Sequence, residues 1–386
     1  MLFDLALLCI GIILYTYFGY TLLILFLSIF VNRKVNKFQL FPEVALVIAA
    51  YNEEDCIEKK IKESLDLDYP KEKLKVYVVS DASSDKTDDI VNSFENDRVQ
   101  LIRIEGRLGK TEARNRAIRL LKEEIIVFSD ATTKYSPKAI KEMMENFADP
   151  EVGMVTGKLI YEIPEGSTMG RGQGLFWKYE NLIKTAQTKL GTLTGSLGCM
   201  TAFRRELYTE LPPNIIEDFT GPQLIIQKGY RVVFEKDALC FEDATLNSPQ
   251  EWKMRVRVIR GGMTGLLFVR KILNPIKYPL VSFQLFSHKI LRWLVPVFAL
   301  LAFFFSVVEY SVNETNSSLT LLSLQLAFYA IAFLGFLSEK LRIQIPFVRV
   351  FQYIFILNLA AIVAIYKTLT SELEATWEPD RKEQTV

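Results

Sequence analysis

The stretch VALVIAAYNEE (44–54) decides the fold. Its first seven residues are apolar without a break and rich in β-branched side chains, the pattern of a strand buried on both faces. Polar and acidic residues begin directly after Ala50. LKVYVVS (74–80), VQLIRI (99–104) and IIVFS (125–129) repeat the pattern. Between them lie EEDCIEKKIKES, SDKTDDIVNSFE and GKTEARNRAIRLLK, charged segments of helical period. This alternation predicts an α/β domain with a mainly parallel sheet, of the doubly wound kind. In such sheets ligands bind outside the carboxyl ends of the strands.

The residues just past each strand are therefore the informative ones. Strand one ends in Ala50-Tyr51-Asn52-Glu53-Glu54 and strand two in Ser80-Asp81-Ala82-Ser83-Ser84-Asp85. Strand three runs into Gly106-Arg107-Leu108-Gly109-Lys110, and strand four ends in Asp130-Ala131-Thr132-Thr133. Taken singly, Asp85 is also a helix cap and Gly109-Lys110 also a turn. Together the four ends converge on one edge. The first turn holds no G-x-G-x-x-G, and Gly109-Lys110 lacks the upstream glycine of a P-loop, which disfavours dinucleotide and P-loop chemistry.

Half of the 386 residues are hydrophobic, yet 24% are charged, so the charges are segregated along the chain. The net charge of +1 implies neither a nucleic-acid footprint nor an acidic tail. Cys9, Cys56, Cys199 and Cys240 have no metal or disulfide spacing, and His288 is the only histidine, which excludes a His-ligated metal and a Ser-His-Asp triad. Residues 5–31 carry no charge and are long enough to span a bilayer. Arg33, Lys34 and Lys37 come next, placing the segment after them in the cytoplasm by the positive-inside rule. Three further apolar runs, 293–308, 315–338 and 350–366, alternate basic and acidic flanks. The expected organisation is an anchor (1–34), a cytoplasmic domain (35–275) with an interfacial helix near 250–275, about three C-terminal spans (276–370) and a polar tail (371–386). The cell membrane is the expected location.

The ordered set AYNEE, SDASSDKT, GKTEARN, SDATT and IEDF resembles the family 2 glycosyltransferases, which have a GT-A fold. The layout of anchor, domain and late helices is similar to the polysaccharide-synthase branch, which includes cellulose, hyaluronan and poly-N-acetylglucosamine synthases. The resemblance implies a nucleotide-sugar donor, with UDP the expected nucleotide. It implies that Ala50, Tyr51 and Glu53 line the nucleotide pocket, that Asp81 bonds the base, and that Lys110 lies near the phosphates. Asp130 takes the first position of the DxD motif, which holds a divalent cation, Mg²⁺ or Mn²⁺. Asp218 and Glu217 take the place of the acidic pair of the TED motif, with Asp218 as catalytic base, and Arg257 that of the QxxRW arginine beside the leaving diphosphate.

The chemistry asks for these residue types. A departing diphosphate needs cations, and an attacking hydroxyl needs a carboxylate to take its proton, with inversion at the anomeric carbon. The chain departs from the family at Thr132, where the motif has a second aspartate, and at Val258, where synthases have the tryptophan of QxxRW. A purely structural role for Glu217 and Asp218 is that of first-turn helix acids. Arg255, Arg257 and Arg260 also suit the basic face of an interfacial helix, and His288 an interfacial helix start. Trp377 to Arg381 resembles a segment of related synthases that approaches the active site; that position requires a cytoplasmic tail and one non-spanning late run. Three functions stay open: single transfer to a glycan or lipid-linked acceptor, a processive synthase, or an inactive assembly subunit.

Overall fold

The computed structural model describes residues 1–165, 167, 169–341, 343, 345–371 and 373–376. Trp377 to Arg381 and the basic flank Arg342 lie outside the described residues. Strands β1 (Val44–Ala50) and β3 (Val99–Ile104) coincide with the predicted runs, while β2 (Leu74–Asp81) and β4 (Ile125–Asp130) extend one residue further, onto their aspartates. The pattern did not announce β5 (Lys134–Tyr135), β6 (Val152–Glu162) or β8 (Arg231–Asp243), and β7 (Met200–Arg204) lies between β4 and β6. The eight strands form one sheet in the order β3-β2-β1-β4-β7-β6-β8-β5. β3, β2, β1 and β4 are mutually parallel, as are β6 and β8; β7 and β5 run antiparallel to their neighbours.

The unbroken apolar runs result from burial on both faces. Val44, Leu46 and Ile48 of β1 face one core, while Ala45 and Val47 face the other. β2 and β4 divide in the same way: Val76, Val78, Ile125 and Val127 lie on one side, Tyr77, Val79, Ile126 and Phe128 on the other. Helices α2 (Ile57–Leu65), α3 (Thr87–Asn92), α4 (Lys110–Leu120) and α5 (Ala139–Met144) cover the sheet. Each buried Val, Leu or Ile contributes about 1.5–3 kcal/mol, so the central strands form the stiff frame. α3 is half the length its segment allows. It ends at Asn92-Ser93, and the Ser93 hydroxyl turns back onto the Ile90 carbonyl, the competition that makes Asn and Ser poor helix residues.

Among the described residues four helices are long and apolar enough to cross a membrane: α1 (Leu2–Phe30), Pro279–Asn313, Asn316–Lys340 and Phe347–Thr370. In chain order α6 (Gly170–Leu190), α7 (Glu217–Gln227) and α8 (Ser248–Phe268) precede the last three, which are α9, α10 (Asn316–Lys340) and α11 (Pro346–Thr370). The basic residues after α1 also fasten it to the domain: Arg33 pairs with Glu151 at 3.0 Å, and Lys37 pairs with Glu235. α8 lies along the domain, with Gly261 against Ile216 and Gly265 against Phe219 and Thr220. α11 packs along α8. Tyr353 accepts from Arg255 at 2.6 Å near one end, and Ser371 accepts from Arg260 at 2.8 Å at the other. Both ends of α11 are therefore on the domain, although its composition alone suits a span.

Candidate active site

β1 is flanked by β2 on one side and β4 on the other, so the direction of winding switches between β1 and β4. The crevice at such a switch point is where an open α/β sheet binds ligand. The turns there are tightly laced. Asn52 and Ala82, each just past a strand, have φ of 55° and 58°, a region a non-glycine residue adopts at a cost. The Asn52 side-chain oxygen accepts from Ser84 N at 2.7 Å, and Glu53 N donates to the Thr87 hydroxyl at 2.8 Å. Asp85 holds both Thr87 N and Glu54 N, which makes it a scaffold residue. These bonds also explain why α2 begins at Ile57 and not at Glu53.

The crevice is a cleft of about 1400 Å³, and Ala50, Tyr51, Glu53, Asp81, Lys110, Asp130 and Arg257 all line it. Asp81 is buried and accepts from Leu108 N at 2.9 Å and Gly109 N at 2.8 Å, so it shapes the loop before α4. The Arg107 guanidinium stacks 3.8 Å from the centre of the Tyr51 ring. At the floor, Asp130 Oδ1 lies 2.7 Å from Lys110 Nζ and 3.2 Å from Arg114 Nη2. Burial pushes the Asp130 carboxyl up, but the Lys110 and Arg114 charges outweigh it and hold it below the usual range.

Arg114 lies within the GKTEARN motif but is given no role by the resemblance. It is fully buried, rests 4.2 Å over the Phe128 ring, donates to the Gly198 carbonyl at 3.2 Å, and pairs with both Asp130 and Glu217. Asp130 and Glu217 thus share one guanidinium. A signal existed: Lys110 and Arg114 are four apart on a helix and must share a face. Lys60 is similar. It occupies the buried stripe Ile57, Lys60, Ile61, Ser64 of α2, donates to the Thr133 carbonyl, and lies 4.3 Å over the Tyr135 ring. Burial lowers its amine to about 8. Gln250 and Lys253 of α8 also line the cleft.

Glu217 and Asp218 open α7, as helix acids should. The structure nonetheless separates them. Glu217 is paired with Arg114, while Asp218 Oδ1 is buried with no hydrogen-bond partner among the described residues. Burial raises the Asp218 carboxyl above its usual value, and Lys110, the Phe219 amide, Arg114 and Arg257 pull it back only in part. Behind the pair lies a cavity of about 30 Å³ bounded by Ser196, Gly198 and Thr201, room for about one water. His288, expected at an interface, is buried and stacked on Tyr20 with centroids 5.5 Å apart.

α11 returns the chain to the cleft. Gly109 has φ of 89°, and a Cβ there would come within 2.2 Å of the Ala375 carbonyl oxygen. Gly109→Ala is expected to dislodge the chain around Ala375 and make it markedly more sensitive to limited proteolysis. Unchanged protection would show that the tail does not seat on Gly109.

For a divalent cation the motif positions offer one carboxylate, Asp130; Thr132, Glu162, Glu242 and Asp243 line the same cleft. Among the described residues no three His, Cys, Asp or Glu side chains gather as a self-sufficient metal site. The donor set fits the mode in which one or two carboxylates and the substrate's own phosphates complete the shell.

Residues 45–211 match the description "Glycosyl transferase family 2". The GT-A domain of this chain is thus similar to the family 2 glycosyltransferases. It is 30% identical over 233 residues to the poly-β-1,6-N-acetyl-D-glucosamine synthase of Staphylococcus aureus strain MSSA476, covering 58% of this chain and 55% of the relative. The synthase of Staphylococcus epidermidis is 27% identical over 241 residues, 60% of this chain and 57% of that one. The chain thus spans little more than half the length of these curated relatives. A solved structure, the mannosyltransferase PcManGT of Pyrobaculum calidifontis in complex with GDP-Man and Mn²⁺, shares the fold with a TM-score of 0.72. Its sequence is 21% identical, and 96% of this chain and 99% of that one are covered.

Proposed function

We propose that the protein transfers a sugar from a nucleotide-diphosphate donor, a UDP-sugar, to a membrane-associated acceptor in cell-surface polysaccharide assembly, with inversion at the anomeric carbon. The observation that carries this reading is that seven residues from distant motifs line one cleft while Asp218, whose Oδ1 has no hydrogen-bond partner among the described residues, lies within reach of the charges of Lys110 and Arg257. Tyr51, Glu53 and Asp81 form the nucleotide end. Lys110 and Arg257 face the diphosphate and stabilise the charge that builds on it as the sugar leaves. Asp218 takes the proton from the acceptor hydroxyl, whose oxygen bonds to the anomeric carbon as the bond to the diphosphate breaks. Glu217, paired with Arg114, positions Asp218 by fixing the start of α7.

Asp130 would hold a divalent cation, which would supply further positive charge to the diphosphate. Chelation is accordingly expected to weaken donor binding by about tenfold or more, read by titration calorimetry. Equal binding with and without chelator would remove the metal role of Asp130. The similarity to poly-N-acetylglucosamine synthases favours a second reading, repeated addition to a growing glycan. The acceptor product separates the two: a long polymer or a single-sugar adduct. An inactive subunit is disfavoured by the convergence of Asp81, Asp130 and Asp218. The basic residues after α1 support a cytoplasmic domain, and the contacts of α11 support two crossings after the domain with α11 along its face.

A further inference from the structure

A second cluster of charge lies away from the cleft, where α6 meets the start of α9 (Pro279–Asn313). Its centre is Glu180, which accepts from Arg292 Nη1 at 2.5 Å and faces His288 Nε2 at 3.3 Å. Glu180, Lys184 and His288 are all more than nine-tenths buried. One carboxylate therefore faces the charges of Arg292, Lys184 and Lys289. The cations are not satisfied by it. Arg292 Nε and Nη2 and Lys184 Nζ are buried with no hydrogen-bond partner among the described residues, and so is one nitrogen of the neighbouring His288 ring, Nδ1. Lys184 lies 4.7 Å over the Trp177 ring, and Arg292 lies 5.7 Å from the rings of Phe176 and Tyr179. Ring faces soften the loss of water but supply neither full negative charge nor a lone pair. Buried cations in excess over their counter-ion are strongly unfavourable, so the chemistry missing from the cluster is an oxyanion.

Its position indicates what carries that oxyanion. Tyr20 and Ile24 of α1 pack on α6, with the Gln187 amide donating to the Tyr20 hydroxyl at 2.7 Å, and Tyr15 of α1 hydrogen-bonds Ser287 of α9 at 2.9 Å. The cluster thus sits where two long apolar helices leave the domain, the level at which basic side chains meet lipid head groups. Lys289 is also close enough to Asp218 for their charges to interact. We propose that this seam binds the phosphate of a phosphate-bearing lipid, whose chain lies along α1 and α9.

The test uses the full chain in dodecyl maltoside micelles. Binding of a polyprenyl monophosphate, of phosphatidylglycerol and of inorganic phosphate is measured by native mass spectrometry and thermal shift, with diacylglycerol as the phosphate-free control. The wild type is expected to bind at least one phospholipid-type probe about tenfold or more tightly than diacylglycerol or inorganic phosphate. Preference for the polyprenyl phosphate over phosphatidylglycerol identifies an acceptor-like lipid, and the reverse a bilayer lipid; both support the site. Arg292→Gln and Lys184→Gln are each expected to weaken that binding by about tenfold or more. Lys184 makes no hydrogen bond to Glu180, so Lys184→Gln keeps the test valid if Arg292→Gln does not fold. Binding unchanged in Lys184→Gln, no preference over diacylglycerol, or equal binding of inorganic phosphate each overturns the proposal. None of these outcomes depends on sugar transfer.

Discussion

Asp218→Asn is expected to lower kcat by about a thousandfold, within the range a positioned general base contributes, while nucleotide affinity stays within about twofold. The side chain keeps its shape, so the Asp218 carbonyl still accepts from Ser196 N at 3.0 Å and the start of α7 is undisturbed. What is lost is the ability to take a proton. Because burial raises the Asp218 carboxyl, the ionised, working form is present above that raised value and is lost as pH falls through it. The acid limb of the pH–rate profile should lie above that of an ordinary carboxylate and should vanish in the variant. Assays of kcat and of nucleotide binding check both parts; surviving turnover would reassign the base.

Arg114→Met should damage stability more than any other single change in the cleft. Arg114 is fully buried, and its removal leaves Glu217, 13% exposed, without its counter-charge. Breaking a buried pair from one side costs about 3–5 kcal/mol. Asp130 is 34% exposed and keeps Lys110, so it adds little to that figure. Arg114→Lys retains the charge but not the fork that reaches Asp130, Glu217 and the Gly198 carbonyl together, and should fall between. Thermal melting of the three proteins tests this order. A melting temperature of Arg114→Met equal to the wild type would mean that Arg114 does not hold the two acids.

The residues legible in the sequence were those that a strand delivers to its end. Ala50, Asp81 and Asp130 close apolar runs whose direction and register the sheet then fixes, so a linear motif carries their placement. Arg114 and Lys60 were not legible in the same way, because a charged residue on a helix is ordinarily solvated and only its neighbours' burial shows otherwise. The acid pair was visible as a pair, but its division into a glutamate paired with Arg114 and an aspartate outside that pair depends on a contact from α4, far earlier in the chain. α11 is the counterpart at the membrane: hydropathy measures its length and apolarity, whereas its course along α8 depends on the polar minority, Tyr353 and Ser371. β6 and β8 escaped because their outer residues mix charge with aromatics and break the apolar run.

The most direct test of nucleotide-sugar transfer at this cleft is turnover of a panel of UDP- and GDP-sugars by the purified protein in lipid nanodiscs, with Asp218→Asn in parallel. Release of nucleoside diphosphate from one donor, coupled to an inverted sugar on the acceptor and absent in the variant, is the predicted result. Failure of every donor to bind or turn over, or turnover that Asp218→Asn leaves intact, would contradict it.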